Sequence, residues 1–140
     1  MFENVNYVGV LVATVLAMVV GFLWYSPMMF AKQWMKLMGL TAESLKSKQK
    51  EMGKMYALSF VAALVMAYVL FHVMAMSMNF FHYDKLMTGL TSAFWMWLGF
   101  VMPVQMTDTI FGGKKWMLFA INTGHQLVSL LAMGLVMGLM

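Results

Sequence analysis

Four long stretches of the sequence contain no Asp, Glu, Lys or Arg, and this feature restricts the possible folds more than any other. The stretches cover residues 4–31, 55–83, 86–107 and 116–140. Each is longer than the ~20 residues that an α-helix needs to cross the ~30 Å hydrocarbon core of a bilayer. We therefore predict an all-α integral membrane protein, folded as a four-helix transmembrane bundle.

The composition excludes several other classes of protein. Hydrophobic residues make up 63% of the chain and charged residues 10%, whereas about a quarter of the residues of a soluble domain are charged. A soluble domain of this size keeps too much of its surface in water to hide such an apolar excess. The absence of cysteine excludes disulfides, thiolate chemistry and cysteine-based metal sites. No nucleic-acid partner is expected, because membrane topology explains the lysines better.

We predict one domain, residues 1–140, with an interfacial amphipathic helix after the first span. The first span ends at Trp24-Tyr25-Ser26-Pro27, where aromatic residues typical of the interface meet a proline that disfavours helical geometry before it. Residues 28–38 then space apolar side chains at helical intervals among two lysines, a pattern typical of a helix in the interface plane. Pro103 should kink the third span. The predicted spans cover residues 7–25, 55–76, 86–111 and 116–139.

The lysines predict how the spans are oriented. Six of the nine lysines lie between the first two spans and two lie in the turn after the third span, which leaves only Lys85 at the opposite end. Basic residues are enriched in the cytoplasmic loops of membrane proteins. We therefore expect the lysine-rich loop to be cytoplasmic and both termini to lie outside.

Three runs of the sequence form recognisable motifs. They are Phe22-Leu23-Trp24-Tyr25-Ser26-Pro27 with Lys32-Gln33-Trp34-Met35, Trp97-Leu98-Gly99-Phe100-Val101-Met102-Pro103, and Asn122-Thr123-Gly124-His125-Gln126-Leu127-Val128. Together they resemble the signatures of a bacterial membrane family named domain of unknown function 1761. The resemblance covers nearly the whole chain. It implies a four-span protein of the bacterial inner membrane, and it implies no activity.

Polar residues inside the predicted spans form a candidate site in the cytoplasmic half of the bundle. An ionisable group within the bilayer costs a few kcal/mol, so it is a candidate for function. The cluster is either a small polar pocket with a proton relay between Asp108 and His125, or a set of interhelical hydrogen bonds worth about 1 kcal/mol each. The members of this predicted cluster are Tyr25, Ser26, Gln105, Asp108, Asn122, His125 and Gln126.

Methionine accounts for 20 of the 140 residues, and one segment combines it with histidine. Alternating methionines between histidines suit Cu(I), which prefers soft ligands. Alternation gathers the sulfur atoms on one side only in an extended backbone, and methionine also serves as a flexible filler of apolar cores. No resident cofactor is predicted. The candidate copper ligands are His72, Met74, Met76, Met78 and His82.

Small residues recur at every fourth position of two spans, which lets helices approach each other closely. Such faces can pack within the chain or against another one. Besides the lipid bilayer, the expected partner is therefore a further copy of the chain, in a homo-oligomer, or another membrane component that the chain joins as an accessory subunit. The small residues concerned are Gly134 and Gly138 on the fourth span and Ala13, Ala17 and Gly21 on the first.

Three functions remain open at this point. The leading hypothesis is a non-catalytic bundle that self-associates or packs beside other membrane components. The second is a transporter or channel for protons or small solutes that uses the polar cluster. The third is a membrane-embedded enzyme for a lipid-soluble substrate, with His125 and Tyr25 as acid–base candidates. A transporter needs a water path to the cluster and an enzyme needs a pocket open to lipid, whereas a packing role needs neither.

Overall fold

The computed structural model describes residues 4–140, and every regular element within them is helical. This confirms the predicted all-α fold. A π-helical turn, Trp97–Val101, joins the fifth and sixth α-helices into one continuous rod. The α-helices are α1 (Tyr7–Trp24), α2 (Ala31–Met38), α3 (Ala42–Ser47), α4 (Gln49–Phe81), α5 (Lys85–Met96), α6 (Met102–Gly112) and α7 (Trp116–Leu139).

Four helical rods are long and apolar enough to cross a membrane: α1, α4, the continuous rod Lys85–Gly112, and α7. They contain the four predicted spans, apart from one residue at the end of the first. Helix α4 has 33 residues, which corresponds to about 50 Å at the rise of an α-helix. Because this exceeds the ~30 Å hydrocarbon core, the lysine-bearing first turns of α4 extend beyond it unless the helix is strongly tilted.

Aromatic contacts fold α2 back beside the end of α1. The Tyr25 and Trp34 rings meet edge to face with centroids 5.5 Å apart, and the Trp24 and Phe30 rings lie 4.8 Å apart. Helix α2 ends at Gly39, whose φ of 69° is the left-handed conformation that glycine adopts most readily. The predicted amphipathic segment is therefore a short helix that packs on the aromatic end of α1.

The π-helical turn lies directly before Pro103. The Met102 N–H bonds to the carbonyl oxygen of Trp97, five residues earlier. Proline has no N–H to donate, and its ring collides with the carbonyl four residues before it in a regular α-helix. A wider turn relieves this collision without ending the rod. The irregularity expected at Pro103 thus takes the form of a π-helical turn, an insertion that is frequent at functional sites.

Helix α7 packs against α1, α4 and α5. The interior between the helices is lined mainly by small residues and methionine. Two methionines of α7, Met133 and Met137, are among the largest fully buried side chains of the described residues. Ala13, Ala17 and Ala67 are also buried, so α1 and α4 present short side chains at the positions where the helices meet.

Helices α5 and α7 are in direct backbone contact at Gly89 and Gly134. A Cβ at either glycine would overlap the carbonyl oxygen of the other, and a Cβ at Gly138 would lie 2.9 Å from the Leu86 Cα. The small-residue face of α7 is therefore used within the chain, and Gly89 is its partner. Such direct backbone contact is what small residues provide in membrane bundles.

We predict that Gly134→Ala separates α5 from α7 and lowers the free energy of unfolding in detergent by about 1–3 kcal/mol, the usual cost of overpacking a core. Gly53→Ala is the matched control, because a Cβ there meets nothing within 4 Å. The control should leave stability unchanged or raise it by up to ~1 kcal/mol through helix propensity. Equal stability of the two variants would contradict the close contact.

Candidate functional site

Two tryptophans from different spans donate hydrogen bonds to the backbone of α7. The Trp24 indole N–H bonds to the carbonyl oxygen of Ile121 at 2.9 Å, and the Trp97 indole N–H bonds to that of Thr123 at 2.9 Å. Within a helix each of these oxygens also accepts from the N–H four residues later, and a carbonyl oxygen has two lone pairs. The indoles therefore join α1 and the π-helical turn to α7 without breaking its backbone hydrogen bonds.

The residue after Trp24 makes a third link between α1 and α7. The Tyr25 hydroxyl donates to Asn122 Oδ1 at 2.7 Å, a short bond between side chains that sequence analysis placed in one cluster. Ser26 does not join it, because its hydroxyl donates to the Leu23 carbonyl oxygen of its own helix end. We call Trp24, Tyr25, Trp97 and residues 121–125 the polar junction.

His125 lies at the centre of the polar junction. Its ring centroid is 5.1 Å from that of Tyr25 and 6.4 Å from that of Trp24. Its Nε2 is 3.3 Å from the Ser129 hydroxyl oxygen. A Cβ at Gly21 would lie 3.2 Å from the same Nε2, so glycine at this position of α1 leaves room for the imidazole.

Asp108 does not belong to the polar junction, contrary to the prediction that it lies beside His125. Its side chain is 63% exposed and forms an ion pair with Lys114 across the turn that follows α6. The carboxylate lies on the outward side of α6, one turn from the helix end, where the neighbouring lysine can reach it. A relay between Asp108 and His125 is therefore not assembled in this structure.

Gln105 and Gln126 also differ from the predicted arrangement. Gln126 follows His125 in the sequence and is half-buried. Within residues 4–140 its side chain makes no hydrogen bond to the polar junction. Gln105 Oε1 and Thr123 Oγ1 are buried and lack a hydrogen-bond partner within the same described residues. Gln105 and Thr123 each lie seven residues from the end of their helix at the turn, or about 10 Å along it. Two polar atoms are thus left unpaired at a similar depth.

The predicted copper segment lies within the last turns of α4. Met74 is 3% exposed and Met76 is 47% exposed, because residues two positions apart point to nearly opposite sides of a helix. The His72 ring packs against Tyr68 with centroids 4.5 Å apart, and its Nδ1 lies 2.8 Å from the Tyr68 carbonyl oxygen. His82 ends the helix with a positive φ of 58°. The structure does not gather the sulfur atoms on one side, and copper binding stays a prediction.

The hydrogen-bonding role of the two tryptophans could not be predicted from the sequence. In the sequence, Trp24 is typical of a residue at the membrane interface and Trp97 belongs to a motif. No sequence feature indicates that either indole bonds to α7. Gly124 carries a related signal, since a Cβ there would lie 3.2 Å from the Trp24 ring. The sequence feature that indicates this contact is Gly124, a glycine next to His125 within an apolar span, which leaves room for a bulky side chain from another helix.

The fold and the polar junction define a multi-pass membrane helix bundle whose spans are joined by indole and phenol hydrogen bonds. The chain belongs to the family described as protein of unknown function (DUF1761), whose family model matches residues 8–138. This confirms the resemblance drawn from the three sequence motifs, and the polar junction is where those motifs meet. Comparisons with curated proteins and with solved structures gave no match.

We predict a measurable coupling between Tyr25 and Asn122. In a double-mutant cycle of Tyr25→Phe and Asn122→Ala, the interaction free energy should be about 0.5–1.7 kcal/mol, the range of interhelical hydrogen bonds in membrane proteins. The measurement is reversible unfolding in detergent micelles.

Asp108→Asn is the control for this cycle. Because the ion pair with Lys114 is largely exposed, its loss should change stability by no more than ~1 kcal/mol, and Asp108→Asn should show no coupling to Asn122→Ala. A coupling of Asn122 to Asp108 that equals its coupling to Tyr25 would contradict the observed arrangement.

Proposed function

We propose that the protein is a non-catalytic helix bundle that self-associates or packs beside other membrane components. Its work is done by the surface that it presents to the bilayer. This role requires neither a water path nor a substrate pocket at the polar junction.

The observation that carries this proposal is how the polar groups of the junction are used. Both indole N–H groups and the Tyr25 hydroxyl donate to acceptors on α7 at 2.7–2.9 Å. Polar groups that bond two spans together at this distance serve to hold the helices in contact. Two surface grooves of the described residues, one between α4 and α5 and one on the outer face of α1, are lined by no residue of the polar junction. The Tyr25 hydroxyl, one of the two acid–base candidates of the enzyme hypothesis, is already bonded to Asn122.

The distribution of lysine supports one orientation in the membrane. The segment between α1 and α4 holds four of the nine lysines, the first turns of α4 hold two and the turn before α7 holds two. Successive antiparallel spans put all eight at the same end of the bundle. By the positive-inside rule, we propose that this end faces the cytoplasm of a cell with an inner membrane and that both termini face outward. An orientation of this kind leaves the short α4–α5 turn on the outer side.

Self-association is tested by energy transfer between donor- and acceptor-labelled copies in liposomes, measured while lipid is added. We expect transfer to stay above the level of random proximity at high dilution, because packing between copies survives dilution that separates unrelated proteins. A monomeric membrane protein of similar size, labelled in the same way, is the control. Transfer that falls with dilution as it does for this control would contradict self-association.

One observation favours a second candidate, the passage of protons or small solutes. Gln105 Oε1 and Thr123 Oγ1 are buried without a partner among the described residues, and an unpaired buried polar atom costs about 1–3 kcal/mol. Such a cost is tolerated when a water or a polar solute occupies the position during function. The cytoplasmic half of the α6–α7 pair would then form part of a polar path.

The second candidate predicts a proton flux in proteoliposomes above that of empty liposomes. Gln105→Leu should reduce this flux at least about fivefold, since it removes a polar group from the path. Thr107→Val is the matched control on the same helix, because Thr107 is exposed and bonds only to the Pro103 carbonyl oxygen. A flux equal to that of empty liposomes would contradict this candidate.

A further inference from the structure

A groove runs along the surface between α4 and α5, and no residue of the polar junction lines it. Its volume is about 510 Å³, within the ~300–1,000 Å³ of small-molecule sites. Its apolar lining includes Val73 and Phe81 of α4 and Trp95 and Met96 of α5. No charged side chain lines it. The groove is therefore suited to an uncharged, mainly apolar occupant.

The groove is elongated along the helices rather than across them. Val73 and Phe81 are eight residues apart on α4, or about 12 Å at the rise of an α-helix, and Phe81 is the last residue of that helix. The groove thus begins near the membrane interface and runs inward. Trp95 is 64% exposed, so the groove opens sideways to the lipid. The acyl chains of bilayer lipids also run from the interface inward, along the direction of the spans.

Hydroxyl groups in the groove have unused hydrogen-bonding capacity. Thr91 donates to the Met87 carbonyl oxygen of its own helix, the usual arrangement for a hydroxyl in a helix. Ser92 instead donates to Ser77 across the groove at 3.4 Å, and the Ser77 hydroxyl donates to no group within residues 4–140. A donor in an apolar groove without an acceptor is a position for the oxygen atom of a ligand.

A second hydroxyl lies at the mouth of the groove. The Tyr83 ring stacks on the Phe81 ring with centroids 5.5 Å apart and an interplanar angle of 11°. The two stacked rings line the mouth of the groove. The Tyr83 hydroxyl has no hydrogen bond within the described part of the chain. Tyrosine at this depth commonly places its ring in the apolar layer and its hydroxyl among lipid head groups.

We propose that this groove binds one glycerolipid of the bilayer, with an acyl chain along Val73 and Met96 and with ester carbonyl oxygens that accept hydrogen bonds from Ser77 and Tyr83. The occupant is an ester lipid because the lining offers apolar length and hydroxyl donors and no charge. This inference rests on the proposed function, since it names a membrane component beside which the bundle packs. It assigns that contact to the α4–α5 face.

The test is native mass spectrometry of the detergent-purified protein titrated with dioleoylphosphatidylcholine. This zwitterionic lipid avoids general attraction to the nine lysines. We expect the protein to retain one lipid. The dialkyl ether analogue, which has the same head group and no carbonyl oxygen, should bind at least about fivefold more weakly, since it loses the hydrogen bonds from Ser77 and Tyr83, each worth about 1 kcal/mol.

Val73→Trp should fill the groove and weaken retention at least about tenfold. Val15→Trp is its control on the outer face of α1, where Val15 is exposed, and it should bind as the original chain does. Should Val73→Trp lose helicity, Ser77→Ala serves instead, and it should reduce the preference for the ester over the ether lipid.

Three results would overturn the proposal: no lipid retained by the original chain, equal retention by a folded Val73→Trp variant, or an ester preference that Ser77→Ala leaves unchanged. Retention is read from the mass of a single copy, so it does not depend on self-association. Failure of lipid binding is therefore distinguishable from failure of the proposed packing between copies.

Discussion

Inside a bilayer, helices gain no hydrophobic free energy by leaving lipid for one another, so their association depends on close contact and on polar bonds between them. The contact between Gly89 and Gly134 supplies the first of these. Backbone meets backbone there, without a side chain between α5 and α7. This approach brings the methionines of α7 into the interior and sets how near the other spans can lie. The rest of the bundle is arranged around α7 as a result.

The polar junction supplies the second requirement at the other half of α7. Unpaired polar groups in hydrocarbon are costly, and the junction avoids this cost by pairing two indoles with backbone carbonyls that already belong to the α7 helix. Glycines on α1 and α7 make room for the histidine and tryptophan rings at this position. Helix α7 is thus held to its neighbours in two ways. Glycines pack closely at one half of the helix, and aromatic side chains form hydrogen bonds at the other half. The surface toward lipid stays free for other contacts.

The sequence was sufficient to predict the number of spans, because a stretch without charge is a property of composition and needs no knowledge of helix rotation. The pairing of Tyr25 with Asn122 was also within reach, since both lie at the same depth. What could not be predicted depends on the angle at which each helix faces its neighbours. Asp108 was placed in the cluster by depth alone, and the rotation of α6 turns it outward to Lys114. The contact of Gly89 with Gly134 and the groove between α4 and α5 likewise depend on how α4, α5 and α7 are rotated about their axes.

The central claim is that the chain crosses the membrane four times around α7. Single cysteines test it most directly, because the natural sequence has none. Lys48→Cys, His82→Cys and Lys115→Cys are each treated with a membrane-impermeant maleimide in sealed vesicles of known orientation. We expect positions 48 and 115 to react from one side and position 82 to react only from the other. Reaction of all three positions from the same side would contradict it.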